Sequence, residues 1–313
     1  YFFGKNADTN WKKKNQIEKF KNEIIHNSVD IRNHKKISNI FSKYKNKIKC
    51  IIHAAAQPSH DWAYKDPTLD FDVNARATLH LLECTKKFCS KATFIYVSTN
   101  KVYGDTPNKL KIKEKKTRFE IVDKKYKKGI NENLSIDKST HSLFGVSKCS
   151  ADLLVQEYGR NLKLKTGVFR AGCITGPKHS GAELHGFLSY LVKCNLNKLK
   201  YNIFGYKGKQ VRDNIHSYDL VNAFWHFHLK PKKGEVYNIG GSSMNSCSIL
   251  EAINLIETMT NQKMIYSFKQ KNRVGDHICY ISDISKLRKH YPNWKIEYSL
   301  KEIIRQIISE MKN

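Results

Sequence analysis

The chain has little acid, no paired cysteines and no long apolar run. Asp and Glu number 28 against 56 Lys and Arg, a formal charge of +28 over 313 residues. Such an excess raises a nucleic-acid reading. The lysines, however, are spread along the whole length on what should be solvated faces, and no nucleic-acid motif accompanies them. No nucleic-acid partner is expected; the field suits capture of a doubly charged small molecule. The eight cysteines (Cys50, Cys84, Cys89, Cys149, Cys173, Cys194, Cys247 and Cys279) form no Cys-x-x-Cys pair, and no Cys/His cluster has ligand spacing. That argues against a zinc site and for reduced thiols in a cytoplasmic protein. No apolar run approaches the ~20 residues that span a bilayer. The opening Tyr1-Phe-Phe-Gly-Lys-Asn has neither a signal-peptide core nor a methionine, so the chain reads as processed or incomplete.

What is present is an alternation of strands and helices. Residues 24–30 read as a short strand ending in Asp30, followed by a helix over about 35–44. Residues 50–56 form the next strand, closed by small residues and Pro58. Residues 66–87 form a long amphipathic helix, with Val73, Ala77, Leu81 and Leu82 on one face. A strand over 92–98 follows. Residues 107–138 are charged and aperiodic, and read equally as a mobile loop or a lid. Further elements are a helix over 142–162, a strand over 166–171, a turn at 172–177, a helix over 185–193, a strand over 201–204, helices over 217–229 and 248–259, and a strand over 236–241. His226 and His228 fall on a helix surface. This rhythm predicts an α/β, doubly wound parallel sheet.

Two segments carry the chemistry. Residues 93–104, Thr-Phe-Ile-Tyr-Val-Ser-Thr-Asn-Lys-Val-Tyr-Gly, are a buried strand ending in hydroxyls. Residues 141–148, His-Ser-Leu-Phe-Gly-Val-Ser-Lys, start a helix with Phe144 and Lys148 one turn apart on the same face. Together they resemble the Ser/Thr plus Tyr-x-x-x-Lys centre of the extended short-chain dehydrogenase/reductases, in the NAD-dependent epimerase/dehydratase family. The resemblance covers essentially the whole chain. Further segments carry it: 53–62, 139–145, 170–185, the Arg-Asp-x-x-His segment at 212–216, and 272–277.

The resemblance implies a Rossmann-type NAD-binding domain over 1–172, with 214–242 returning to it. A smaller mixed α/β lobe, 173–213 and 243–313, would bind a nucleotide sugar. Thr99 would hydrogen-bond the reacting hydroxyl, and Lys148 would hold the nicotinamide ribose. Asp30, Ile31, Ala54, Ala55, Ala56, Gln57, Asn74, Val97, Ser98 and Arg170 would border NAD. Asn100, Lys101, Gly172, Cys173, His185, Arg212 and Arg273 would border the substrate, the two arginines clamping its pyrophosphate.

Two departures matter. No Gly-x-Gly-x-x-Gly or Gly-x-x-Gly-x-x-Gly occurs. The first βαβ unit is therefore expected to be missing, roughly thirty to forty residues. Phe144 stands where the family has its catalytic tyrosine, which leaves three readings: another group takes the proton, only slow chemistry from the threonine and bound cofactor remains, or the protein binds without catalysing. Tyr103, His141, Ser142 and Lys148 are near in sequence, and His141 has the best intrinsic pKa. Asn100-Lys101 replaces the Asp-Glu pair of the 4,6-dehydratases, which argues against dehydration. The activity implied is inversion at C2 of a CDP-sugar through a transient ketone. C4 chemistry on another nucleotide sugar and non-catalytic binding are the alternatives, and a homodimer is implied by resemblance alone.

Overall fold

The computed structural model describes Phe20 and residues 22–183, 185–270, 272 and 275–312. A helix α1 (His34–Tyr44) precedes strand β1 (Cys50–His53), which leads through α2 (His60–Lys65) to α3 (Pro67–Phe71) and α4 (Ala77–Phe88). A π-helical turn, Asp72–Arg76, joins α3 to α4 without a break in the chain's helical course. Strand β2 (Thr93–Thr99), a hairpin β3 (Ile112–Glu114) and β4 (Phe119–Ile121), helix α5 (Leu143–Arg160) and β5 (Lys165–Ala171) follow. Then come β6 (Cys173–Thr175), α6 (Phe187–Leu196), β7 (Tyr201–Phe204), β8 (Val211–His216), α7 (Ser217–Leu229) and β9 (Glu235–Ile239). The chain closes with β10 (Ser246–Ser248), α8 (Ile249–Thr260), β11 (Tyr266–Lys269), β12 (Cys279–Tyr280), α9 (Ser285–His290) and α10 (Leu300–Lys312).

The main sheet runs β1-β2-β5-β9, all parallel. Strands β2, β5 and β9 are buried on both faces under covering helices, whereas Ile52 of the edge strand β1 is half exposed. Phe94, Tyr96, Val168 and Val236 point to a core shared with α4 and α5. Their neighbours Ile95, Phe169 and Tyr237 point to a second core with α7 and α9. This is the period-two alternation of a strand. Parallel register brings Thr99, Ala171 and Ile239 level at the carboxyl ends of their strands, where doubly wound sheets bind ligands, while His53 ends β1 opposite Tyr96. A third core packs α6, α8 and α10 around Tyr201 and Ile203. Strand β8 links the lobes, pairing with β6, β10 and β12. Helix starts follow side-chain capping: Asp66 with Pro67 at α3, Ser142 at α5, and a Ser248/Glu251 capping box at α8.

Three expectations are corrected. Residues 24–30 form no strand: they pair in no ladder among the described residues, and Ile24 and Ile25 are exposed. β-propensity alone does not make a strand without a neighbour to pair with. Residues 107–138 are packed as a brace between the lobes. Tyr126, Ile130 and Leu134 are buried with Val102, Tyr103 and Tyr280, and the Phe119 N–H donates to the Lys209 carbonyl. The turn at 172–177 contains β6. Ile284, Leu287, Tyr291 and Trp294 pack on the main sheet's second face. Among the described residues no helix is long and apolar enough to cross a membrane, and all eight cysteines are free thiols.

Candidate active site

Lys148 and Phe144 lie in the first turns of α5, under the C-terminal ends of β1 and β2. The Lys148 ammonium is buried, donates to the Val97 carbonyl at 2.9 Å and sits 4.4 Å from the Tyr96 ring centre. Burial pushes its pKa down to about 7, opposed by Asp152 and Asp70. An ammonium has three donors, so Lys148 can also serve the ribose hydroxyls of a dinucleotide. Ala54 and Ala55 are exposed at the end of β1 and let a flat ligand approach the backbone. These residues fit NAD. Thr99 is half-buried, and its hydroxyl accepts from the Lys101 N–H at 3.3 Å.

Behind this floor are two buried polar networks. In the first, Asn74 lies in the π-helical turn, a geometry that recurs at functional sites. Its side chain accepts from the Gln57 N–H and donates to the Gln57 carbonyl, the Asp70 carboxylate and Ser147 Oγ. Ser147 in turn donates to Asp70 at 2.5 Å. Asn74 therefore fixes the loop after β1 and the residue beside Lys148 together. The Gln57 side chain also turns inward, donating to Asp70 and the Ser59 carbonyl. In the second network, Asp152 accepts from Ser98 at 2.6 Å, from Gln156, and from two nitrogens of Arg170 at 2.9 and 3.0 Å. Arg170 also donates to the Tyr103 hydroxyl, which donates to Asn238. Ser98 and Arg170, expected against the cofactor, thus hold the sheet's interior.

Above the floor, Lys101 donates to the Gly275 carbonyl at 2.7 Å. Its ammonium is 3.8 Å from the Asp276 carboxylate, which Arg212 also engages. Cys173 starts β6 in the same region, its thiol pushed up to about 11 by burial. Gly172 packs where a Cβ would meet the Asp213 carboxylate at 2.7 Å. Burial raises Asp213 to about 6, with backbone N–H groups of Ser282 and Ser242 opposing. His185 is exposed on the loop before α6, its ring 5.6 Å from His179. Asp30 is exposed and paired with Arg32, beside the partly buried Ile31. Arg273 lies outside the described residues.

The structure separates the two histidines nearest the missing phenol. His141 Nε2 donates to the Val102 carbonyl at 2.7 Å, and its Nδ1 meets Ser139 Oγ at 3.2 Å. That ring ties the start of α5 to the turn after β2. His60 instead stands against Phe144, ring centres 5.0 Å apart and edge to face. Its Nδ1 is 2.7 Å from Ser142 Oγ. Sequence reasoning gave no role to His60, Asp70, Asp152 or Asp276. His60 and Ser142 are 82 positions apart, and no local pattern announces their meeting. The pairing of Ser147 with Asp70 is equally remote.

A profile of the "NAD dependent epimerase/dehydratase family" matches residues 5–240. The chain is 32% identical over 293 residues to CDP-paratose 2-epimerase of Salmonella typhi, covering 91% of this chain and 83% of that protein. It is 26% identical over 300 residues to UDP-glucuronate 4-epimerase of Thermodesulfobacterium geofontis, covering 95% and 82%. Among solved structures it resembles a tyrosine-to-phenylalanine mutant of UDP-glucuronic acid 4-epimerase from Bacillus cereus, in complex with UDP-4-deoxy-4-fluoro-glucuronic acid and NAD. That likeness has a TM-score of 0.72 at 26% identity, over 91% of this chain and 80% of the other.

Proposed function

Because this chain belongs to the NAD dependent epimerase/dehydratase family, and is an enzyme of that NAD-using kind, we propose that it inverts C2 of a CDP-linked sugar. The observation that carries the reading is the hydroxyl of Thr99 at the end of β2, together with the buried Lys148 ammonium on the Val97 carbonyl. Thr99 orients the reacting sugar hydroxyl, and Lys148 holds the ribose and places positive charge beside the forming ketone. NAD, when bound, takes and returns the hydride, so no net oxidation results. The 32% identity to CDP-paratose 2-epimerase favours C2 and a cytidine nucleotide. Similarity to a 4-epimerase keeps C4 inversion as the second reading. Asn100 and Lys101 favour epimerisation over dehydration, because an amide and a cation bound to the Gly275 carbonyl cannot act as an acid–base carboxylate pair.

Arg212 and Lys101 would share the substrate pyrophosphate, with Asp276 yielding its place on Arg212. The test is conversion of CDP-paratose in deuterated buffer, followed by NMR. Inversion at C2 with no deuterium in the sugar is expected. Inversion at C4 instead, or deuterium at C2, would overturn the reading.

We place the enzyme in the cytoplasm, consistent with its eight free thiols. We also propose a homodimer through α4 and α5, whose outer faces expose Leu79, Val146 and Leu153 at 38%, 44% and 48%. Val146→Glu with Leu153→Glu should halve the mass seen by sedimentation equilibrium. An unchanged mass would place the contact elsewhere.

A further inference from the structure

We propose that the end of the main sheet opposite the candidate active site is a docking surface for an anionic lipid membrane. The inference is independent of the sugar that the site takes.

The parallel topology gathers cations that the sequence spreads out. Four loops lead into the strands of the main sheet, and all four lie at its amino-terminal end. Residues 43–49, before β1, hold four lysines, and residues 86–92, before β2, hold three. Residues 160–165, before β5, hold an arginine and two lysines, and residues 230–234, before β9, hold three lysines. None of these loops contains a carboxylate, and of their thirteen cations all but Lys165 and Lys232 are exposed. Strand register sets the loops level. Cys50 pairs with Thr93 and Thr93 with Lys165, while Gly167 pairs with Glu235. Lys49, Lys165 and Lys233 therefore fall in one row, on strands about 4.8 Å apart. The loops also touch. The Thr93 N–H donates to the Lys49 carbonyl at 3.0 Å, and a Cβ at Gly234 would meet Arg160 Cγ at 2.6 Å.

Helix capping explains a minority of these charges. Helices α1, α4, α5 and α7 end here, and a cation in a last turn complements the helix dipole. That accounts for Lys43, Lys86, Lys87 and Arg160. The other nine lie beyond the helix ends. Glu83 and Glu235, which border the loops, are engaged by Lys86 and Lys286, outside those nine. Like charges spaced within one Debye length, about 8 Å at physiological ionic strength, repel one another until an anionic surface faces them.

Two exposed leucines choose between polyanions. Leu162, 42% exposed, stands beside Lys163, and Leu229, 63% exposed, beside Lys230. A lipid surface buries leucines at its acyl boundary while its headgroups meet the lysines. The phosphate backbone of a nucleic acid offers only the second contact. Each cation near an anionic leaflet strengthens binding about fivefold. Thr99 lies at the far end of the seven-residue β2, about 20 Å from this surface, so a docked protein keeps its site open to solution.

The experiment is co-sedimentation of the purified protein with vesicles at low salt, each variant first checked for its fold by circular dichroism. Vesicles of phosphatidylcholine with one quarter phosphatidylglycerol should bind it, pure phosphatidylcholine should not, and high salt should release it. The triple variant Lys49→Gln, Lys91→Gln and Lys233→Gln should bind about a hundredfold more weakly. Leu162→Ser with Leu229→Ser should cost about tenfold or more. Lys111→Gln, Lys113→Gln and Lys269→Gln, the same charge change at exposed lysines outside these loops, should leave binding within about threefold of wild type. No binding of the wild-type protein to the anionic vesicles overturns the proposal without any variant. Equal losses in the two triple variants, or binding indifferent to the leucines, also overturn it. Duplex DNA held more tightly than the vesicles would make a nucleic acid the partner and overturn the membrane assignment.

Discussion

Asp152→Ala will lower the unfolding free energy by about 3–5 kcal/mol, the cost of stranding a buried charge. Asp152 is fully buried, and Arg170 is only 4% exposed. Two guanidinium nitrogens and the Ser98 hydroxyl all donate to its carboxylate. Alanine removes every acceptor at once and leaves Arg170 charged inside the sheet. The Tyr103 and Asn238 bonds that continue the network would lose their anchor. Urea unfolding followed by circular dichroism measures the loss. A change under about 1 kcal/mol would mean that water or backbone replaces the carboxylate. Because replacing the whole pair by apolar groups is a different experiment, an Asp152/Arg170 double variant should recover part of the loss.

Lys148→Met is expected to cut kcat by about 10³-fold, within the range of a positioned acid–base and electrostatic group, and to release NAD. Its effect on stability should have the opposite sign. Burial holds the folded pKa at about 7, against 10.5 in the unfolded chain. Between pH 7 and 10.5 the unfolded chain binds the proton and the folded chain does not, so wild-type stability rises with pH across that window. Below pH 7 both states carry the proton and the full cost of the buried ammonium remains. The methionine variant without NAD should therefore melt above wild type at pH 6, and the gap should close toward pH 10.5. A variant less stable than wild type at pH 6 would show that the Val97 and Tyr96 contacts outweigh desolvation.

Stability and activity thus pull apart at this residue, as expected where a site stores an unfavourable charge. Asp70 and Asp152 moderate the cost from either side without quenching it. The same logic explains the depth of the supporting networks. Asn74, Ser147 and Asp70 hold the backbone on which Lys148 stands, so its ammonium does not relax toward solvent.

The sequence by itself determined the α/β alternation, because strand and helix periodicities are local properties of the chain. The placement of Thr99 at a strand end and of Lys148 one turn beyond Phe144 was legible there as well, since a fixed helical rise sets that spacing. The Phe144 departure was legible there too. The long-range partners of these residues came from the tertiary fold, because they lie far apart in sequence. Ser98, Gln57 and Arg170, read as cofactor contacts, hydrogen-bond to Asp152 and Asp70. His141 was favoured among the nearby groups for its intrinsic pKa, and its ring donates to the Val102 carbonyl. His60 reaches Phe144 only because the loop after β1, pinned by Asn74, folds over the start of α5. The residues 24–30 show the limit from the other side: their pattern suits a strand, but a strand exists only through the ladder partner that the fold supplies.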